Sequence, residues 1–299
     1  MQVSQESLFA VTSQTREDVL TGVISVHPKR KNKPMPPAVR IMPPDRSPCP
    51  LCVMASSSTY EDGFATDGQS QVQLSKHSAH TFSFQNLWPV FDDGPSELIC
   101  PRAHVHAIED LPNEEACDML NLFHDRYLNL AEQHKTVFPF INVGHNAGGS
   151  LSHLHAQLVT TSAAPAERWM RLLGSSHLIE KDMSFARAAD LVVKDDRSGS
   201  VYVAYAPSFS GEIRIVSDTT QGLHSLIHDT ATALATSIGD WPYNVIPVWA
   251  DRPFAQLIPR LDVGVTYPTY LGTCVGVLNQ EAIAEKLRVG FSKSTKTQI

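Results

Sequence analysis

The residues best suited to chemistry lie in one stretch, Phe138-Pro-Phe-Ile-Asn-Val-Gly-His-Asn-Ala-Gly-Gly-Ser-Leu-Ser-His-Leu-His-Ala-Gln-Leu-Val159. Strand alternation sends residues i, i+2 and i+4 to one face. His153, His155 and Gln157 are therefore expected to point one way, with Leu154, Ala156 and Leu158 packing on the other side. Two imidazoles and an amide on one strand face suit a site better than a core. The Gly148-Gly149-Ser150 turn lets backbone amides converge on an anion at close range, which suits phosphate. A histidine beside such a cradle points to nucleophilic attack on phosphorus through a phospho-histidine intermediate. The bland alternatives are a metal held by both histidines, or a buried histidine pair satisfied by its neighbours.

A second candidate is Ser47-Pro-Cys49-Pro-Leu-Cys52. Two thiolates three residues apart can share one tetrahedral ion. Alone, such a pair is equally consistent with a redox dithiol. Five cysteines is an odd number, which fits a reducing cytoplasm and a metal site better than a disulfide framework.

Composition sets outer bounds. A chain of 299 residues with 42% hydrophobic and 18% charged residues can bury a sizeable core, as one large domain or two moderate ones. The net charge of −7 argues against a nucleic-acid or anionic-membrane binder, so phosphate binding must come from a local pocket. No apolar run reaches the roughly 18 residues that a membrane span needs. Residues 1–18 lack a basic region followed by an apolar core, so no signal peptide is expected.

The elements that must position these residues follow in order. Residues 1–20 read as a flexible lead-in with at most one short helix. Gly22–Val26 reads as a strand running into the basic, proline-rich His27–Pro34. Thr81–Val90 and Ser96–Cys100 read as strands around the turn Asp92-Asp-Gly-Pro95. Leu111–His134 carries an apolar helical face. Val201–Tyr205, Gly211–Val216, a helix near Leu223–Ile238, Pro242–Val248 and Ala255–Ile258 then repeat the order strand, strand, helix, strand, strand. Letters repeat too: Ile141-Asn-Val against Tyr243-Asn-Val, and His155-Ala-Gln-Leu-Val against Phe254-Ala-Gln-Leu-Ile. Duplication is the simplest account. It places Asn142 over Asn244 and Gln157 over Gln256. Arg252-Pro253-Phe254 stands where the first copy has His153-Leu154-His155, so the second copy lacks the nucleophile. A closing helix is expected over Gln280–Arg288, with a disordered tail from Val289 to Ile299.

The pattern Asn142-x-Gly144-x3-Gly148-x-Ser150-x2-His153-x-His155-x-Gln157 resembles the active-site segment of galactose-1-phosphate uridylyltransferase and its relatives, ADP-glucose phosphorylase-type proteins included, a branch of the histidine-triad superfamily. The resemblance extends over roughly residues 15–290. It implies an α+β, duplicated histidine-triad fold: two antiparallel-sheet units with helices packed on them, at 1–195 with the zinc knuckle and at 196–299 without the catalytic histidines. It implies that His155 takes up a nucleotidyl group and that Gln157 binds phosphoryl oxygens. Arg30, Asn86, Asn142, Gly148, Gly149 and Ser150 are then expected at the nucleotide and its phosphates. Leu87 stands where uridylyltransferases place an acid after the asparagine, a departure that weakens a claim for uridine. The family's zinc site implies Cys49, Cys52, His104 and His153. His104 lies in Cys100-Pro-Arg-Ala-His104, 49 residues before His153, and His106 competes for its place. A second, later metal site of some relatives is not expected, because Phe254-Ala-Gln256 occupies its position.

The implied activity is a cytoplasmic, homodimeric nucleotidyltransferase with zinc. It would move a nucleoside monophosphate between a nucleotide donor and a sugar 1-phosphate or phosphate, without nucleic-acid or membrane partners. Two other readings stay open. One is phosphorolysis or hydrolysis of a dinucleoside polyphosphate or nucleoside-diphosphate sugar by the same histidine. The other is a zinc-stabilised nucleotide-binding protein without turnover.

Overall fold

The computed structural model describes residues 14–27, 40–43, 48–57, 63–66, 71–87, 89, 94–161, 164–260, 273–275 and 278–297. Its strands are β1 (Gln14–Glu17), β2 (Ile24–His27), β3 (Phe64–Thr66), β4 (Gln71–His77), β5 (Thr81–Gln85), β6 (Ser96–Pro101), β7 (Val137–Val143), β8 (Ala156–Thr160), β9 (Val192–Asp196), β10 (Gly199–Val203), β11 (Ile213–Val216), β12 (Tyr243–Val248), β13 (Phe254–Pro259) and β14 (Thr273–Val275). Its helices are α1 (Pro50–Ala55), α2 (Asn113–Ala131), α3 (Ala164–Leu173), α4 (Ser176–Ala188), α5 (Thr220–Ser237) and α6 (Gln280–Thr297).

Eleven strands form one sheet in the order β3-β4-β5-β6-β8-β7-β12-β13-β11-β10-β9. Every pairing in it is antiparallel. The fold is thus α+β, with helices packed on an antiparallel sheet. The succession β4-β5-β6-α2-β7-β8 recurs as β9-β10-β11-α5-β12-β13, and the halves join where β7 pairs with β12. The junction expected at 195/196 falls inside β9.

The register limits the letter matches. Asn142 pairs with Asn244 across the β7–β12 ladder. Gln157 lies opposite Phe140, two residues before Asn142, whereas Gln256 lies opposite Ile246, two residues after Asn244. Asn142 over Asn244 and Gln157 over Gln256 therefore cannot both be structural equivalences. If the asparagines correspond, the place of Gln157 falls to Arg260, whose N–H bonds the Pro242 carbonyl at 2.7 Å.

Strand β7 shows why the site has a floor. Val137, Ile141 and Val143 are buried in the main core with Met119, Leu120 and Phe123 of α2. Phe138, Phe140 and Asn142 alternate with them and are half-buried on the other face. Phe84, Leu98, Gln157 and Phe140 align strand to strand, so they share that face. Leu51 and Met54 of α1 cover its outer end, packing on Phe82, Phe84 and Cys100.

Three expectations change. The lead-in contains strand β1, paired with β2, which in turn pairs with β14 in a separate three-stranded sheet. Its tether is Asp18, fully buried against Arg214 of β11 at 2.8 Å. The expected disordered tail is helical to Thr297, since no proline follows Gln280 to stop α6. His153 and His155 precede β8 rather than lying in it, because the Leu154 N–H is taken by the Val105 carbonyl of a neighbouring loop.

Candidate functional site

Where β7 ends, Gly144 takes φ 88° and Gly148 the left-handed conformation, enclosing a 3-10 turn at His145–Ala147. The turn closes on itself. The Gly148 N–H donates to the His145 carbonyl at 2.8 Å, and the Gly149 N–H to the Gly144 carbonyl at 3.0 Å. These two amides are spent inside the turn, contrary to the expectation that they face an anion. The Ser150 N–H, by contrast, donates to no described residue. The glycines act through shape: a Cβ on Gly149 would stand 2.9 Å from the Gly144 carbonyl oxygen. Asn142 and Asn244 hold the turn from below. Asn244 Nδ2 donates to Asn142 Oδ1 at 2.6 Å and to the Ala147 carbonyl at 2.7 Å. Arg260 Nε donates to Asn244 Oδ1.

The chain then passes His153 and His155, both buried. His155 Nδ1 donates to the His153 carbonyl at 2.9 Å. That bond fixes the tautomer, so Nε2 carries the lone pair. Burial holds the His155 ring below the usual imidazole range, so it stays neutral at pH 7. Gln157 Nε2 lies 3.5 Å from His155 Nε2. A neutral imidazole with an amide donor beside its free nitrogen can attack an electrophilic phosphorus while the donor meets charge on its oxygens.

The His153 side chain turns away from His155. Its Nε2 donates to the Pro101 carbonyl at 2.9 Å, which leaves Nδ1 facing Cys49 Sγ at 3.6 Å and Cys52 Sγ at 3.5 Å. His104 Nδ1 lies 3.1 Å from Cys52 Sγ. All four donor atoms lie within 4.8 Å of one another. A tetrahedral zinc with ordinary bond lengths separates its ligands by about 3.3–3.8 Å, so the cluster fits such an ion with small adjustments. The His153–Pro101 bond fixes the ring with Nδ1 turned to the cluster, the orientation that a metal-binding imidazole needs. Burial first, then the neighbouring imidazoles, lower the His153 pKa to about 4, so this ring is neutral and available as a ligand. His106 is not part of the cluster; its Nδ1 donates to the Ser152 carbonyl at 3.0 Å. One residue thus joins the two centres: the His153 ring faces the thiolates, and its carbonyl orients His155.

Asn86 sits at the end of β5, two residues past Phe84, with its N–H on the Ser96 carbonyl at 2.7 Å. Arg30 lies outside the described residues. Sequence reasoning missed Arg40, Glu109 and Tyr243. They form a buried chain, with Arg40 Nη2 donating to Glu109 Oε1 and the Tyr243 hydroxyl to Glu109 Oε2, each at 2.5 Å. Nothing in the spacing of residues 40, 109 and 243 signals their meeting. Phe138 and Phe140 add an apolar floor beside Gln157 with ring centroids 6.0 Å apart, and their strand alternation was a readable signal.

A family model described as the HIT domain matches residues 96–164. No curated protein sequence matches the chain. Among solved structures, an ADP-glucose phosphorylase from Arabidopsis thaliana with bound ADP-glucose superimposes with a TM-score of 0.69 at 16% identity, covering 93% of this chain and 99% of that one. A galt-like protein from Arabidopsis thaliana gives a TM-score of 0.67 at 16% identity, covering 92% and 98%. A uridylyltransferase gives 0.57 at 15% identity, covering 94% and 99%. Residues 96–164 thus match a HIT domain, and nearly the whole chain shares the fold of these three solved structures.

Proposed function

We propose that the protein is a nucleotidyltransferase that works through a nucleotidyl-His155 intermediate. His155 Nε2 attacks the α-phosphorus of a nucleotide donor, a nucleoside-diphosphate sugar or nucleoside triphosphate. A nitrogen–phosphorus bond forms and the bond to the bridging oxygen breaks, releasing a sugar 1-phosphate or pyrophosphate. A second phosphate then attacks the same phosphorus and frees His155. The observation that carries this reading is the 2.9 Å bond from His155 Nδ1 to the His153 carbonyl, which presents a neutral Nε2 lone pair beside the Gln157 amide. Gln157 and the Ser150 N–H meet charge on the equatorial oxygens, which is most of what phosphoryl transfer needs.

Cys49, Cys52, His104 and His153 hold zinc in this reading. Four protein ligands close its shell, so its contribution is structural. Asn142, Gly148 and Gly149 shape the turn, and Asn86 and Arg30 complete the nucleotide site. The second half is a silent copy of the first. It lends Arg260 to the acceptor phosphate, since Arg260 has no carboxylate within ion-pair distance among the described residues and reaches the turn through Asn244. The likeness to a phosphorylase favours one further reading, with inorganic phosphate as the second acceptor.

The test is incubation with each nucleotide sugar and nucleoside triphosphate, read by intact mass. A nucleotidyl adduct that His155→Ala abolishes supports the reading. Parallel incubation of the adduct with inorganic phosphate and with sugar 1-phosphates separates the acceptors.

A further inference from the structure

We infer that Arg40 and Glu109 are positioning residues for the proposed nucleotidyl transfer, setting the glycine turn that leads to Ser150 and His155. This rests on the transfer reading above. The Arg40 stem packs directly on Gly144: a Cβ there would stand 2.9 Å from Arg40 Cγ and 3.1 Å from Pro242 Cβ. The next peptide bonds the same segment, with the His145 N–H donating to the Ile41 carbonyl at 2.7 Å. The first two residues of the turn are thus seated on 40–41.

Arg40 is held there by polar contacts that are nearly closed to water. Its side chain is 9% exposed and that of Glu109 is 8%. Nε and Nη2 both reach the Trp241 carbonyl at 3.3 Å, and Nη2 donates to Glu109 Oε1 at 2.5 Å. Glu109 Oε2 accepts from the Tyr243 hydroxyl, and Tyr243 pairs with Val143 immediately before the turn. Glu109 lies in the 3-10 turn Ile108–Asp110, which ends the loop carrying His104 and the Val105 carbonyl that receives the Leu154 N–H. One buried ion pair therefore joins the segment under the turn, the loop that bears a metal-cluster histidine, and the strand of the second half that pairs beside the turn.

Stability alone is a poor reason for such a pair. Burying two charges costs desolvation that apolar side chains of similar volume avoid, whereas fixing one geometry is a purpose such pairs serve. The geometry fixed here is that of the turn leading to Ser150 and His155, where misplacement by about 1 Å can slow a reaction a hundredfold.

The test is single-turnover adduct formation by the full chain at saturating nucleotide donor, with zinc content measured on the same samples. Arg40→Met/Glu109→Leu removes both charges together. The expected result is a rate constant at least about tenfold lower, with full adduct amplitude and full zinc content. Glu109→Gln preserves an acceptor for Arg40 and a contact for Tyr243, and is expected to keep the wild-type rate constant. A purely structural pair gives the opposite pattern: reduced amplitude with an unchanged rate constant in the double variant, which overturns the inference. A folded Glu109→Gln as slow as the double variant overturns it too. If the double variant yields no folded protein, Tyr243→Phe is read instead. Slower adduct formation at full amplitude is expected there, and an unchanged rate constant overturns the inference. A wild-type protein that forms no adduct with any donor overturns the transfer reading and this inference together.

Discussion

Acid should destabilise this protein through His224, by about 2 kcal/mol between pH 7.5 and pH 5. His224 is fully buried in α5. Its Nδ1 donates to Asn121 Oδ1 at 2.8 Å, and its Nε2 accepts from Trp249 Nε1 at 3.1 Å. Both ring nitrogens are thus committed to the neutral form, and a proton on Nε2 would face another donor. Burial first, then His124 nearby, lower its pKa from 6.5 to about 3. The sign follows from proton counting: below pH 6.5 the unfolded chain takes up a proton that the folded chain refuses, so stability is lost as pH falls. At pH 5 the unfolded ring is about 97% protonated and the folded ring almost wholly neutral, which costs about 2 kcal/mol relative to pH 7.5. Any folded value at or below about 4 gives nearly the same figure. His224→Gln keeps one donor and one acceptor but does not titrate. Urea unfolding of both proteins at pH 7.5 and pH 5 cancels the groups they share. The stability of wild type relative to His224→Gln should fall by about 2 kcal/mol between those pH values. A difference that does not change with pH would refute the reasoning.

Three further outcomes are expected. Cys52→Ser should lower bound zinc from about one equivalent to a small fraction, and lower Tm more than it lowers the adduct rate per folded molecule; a metal-free wild type or a Cys49–Cys52 disulfide in reduced protein counts against the site. Gly149→Ala should cost about 1–3 kcal/mol, because its methyl meets the Gly144 carbonyl at 2.9 Å and backbone cannot swing aside; chemical denaturation checks this. Arg260→Ala should raise the acceptor KM about ten- to a hundredfold, the equivalent of a charged hydrogen bond, and spare the adduct step; single-turnover and steady-state rates together separate the two.

Much of the site was legible because it is local. The alternation of Val137 to Val143 set both the core face and the open face, and residues 142–157 lie close enough in sequence for their types and spacing to speak. The cysteine–histidine cluster joins residues that lie 52 to 104 positions apart along the chain from the cysteines to the histidines that meet them, and only a family resemblance brought His104 and His153 to Cys49 and Cys52. Backbone bonding in the turn was not legible, since the use of the Gly148 and Gly149 amides depends on φ values that residue letters do not state. Arg40, Glu109 and Tyr243 meet through tertiary packing alone. Strand β4 is a different case: Gln71-Val-Gln-Leu74 alternates exposed and buried, a readable pattern that was passed over. Strand β9 ends in Lys194-Asp-Asp196 at the sheet edge, where charge hides strand character and guards the edge. The matched letters around Asn142 and Gln157 were real, but the ladders show that letters can repeat out of register.

The central claim is that His155 carries the nucleotidyl group. Its most direct measurement is the intact mass of wild type and His155→Ala after incubation with nucleotide sugars and nucleoside triphosphates, followed by peptide mapping. The account expects one nucleoside monophosphate added to wild type, localised to His155 and removed when phosphate or a sugar 1-phosphate is supplied, with no addition to His155→Ala. An adduct that persists in folded His155→Ala protein, or maps to another residue, would contradict it.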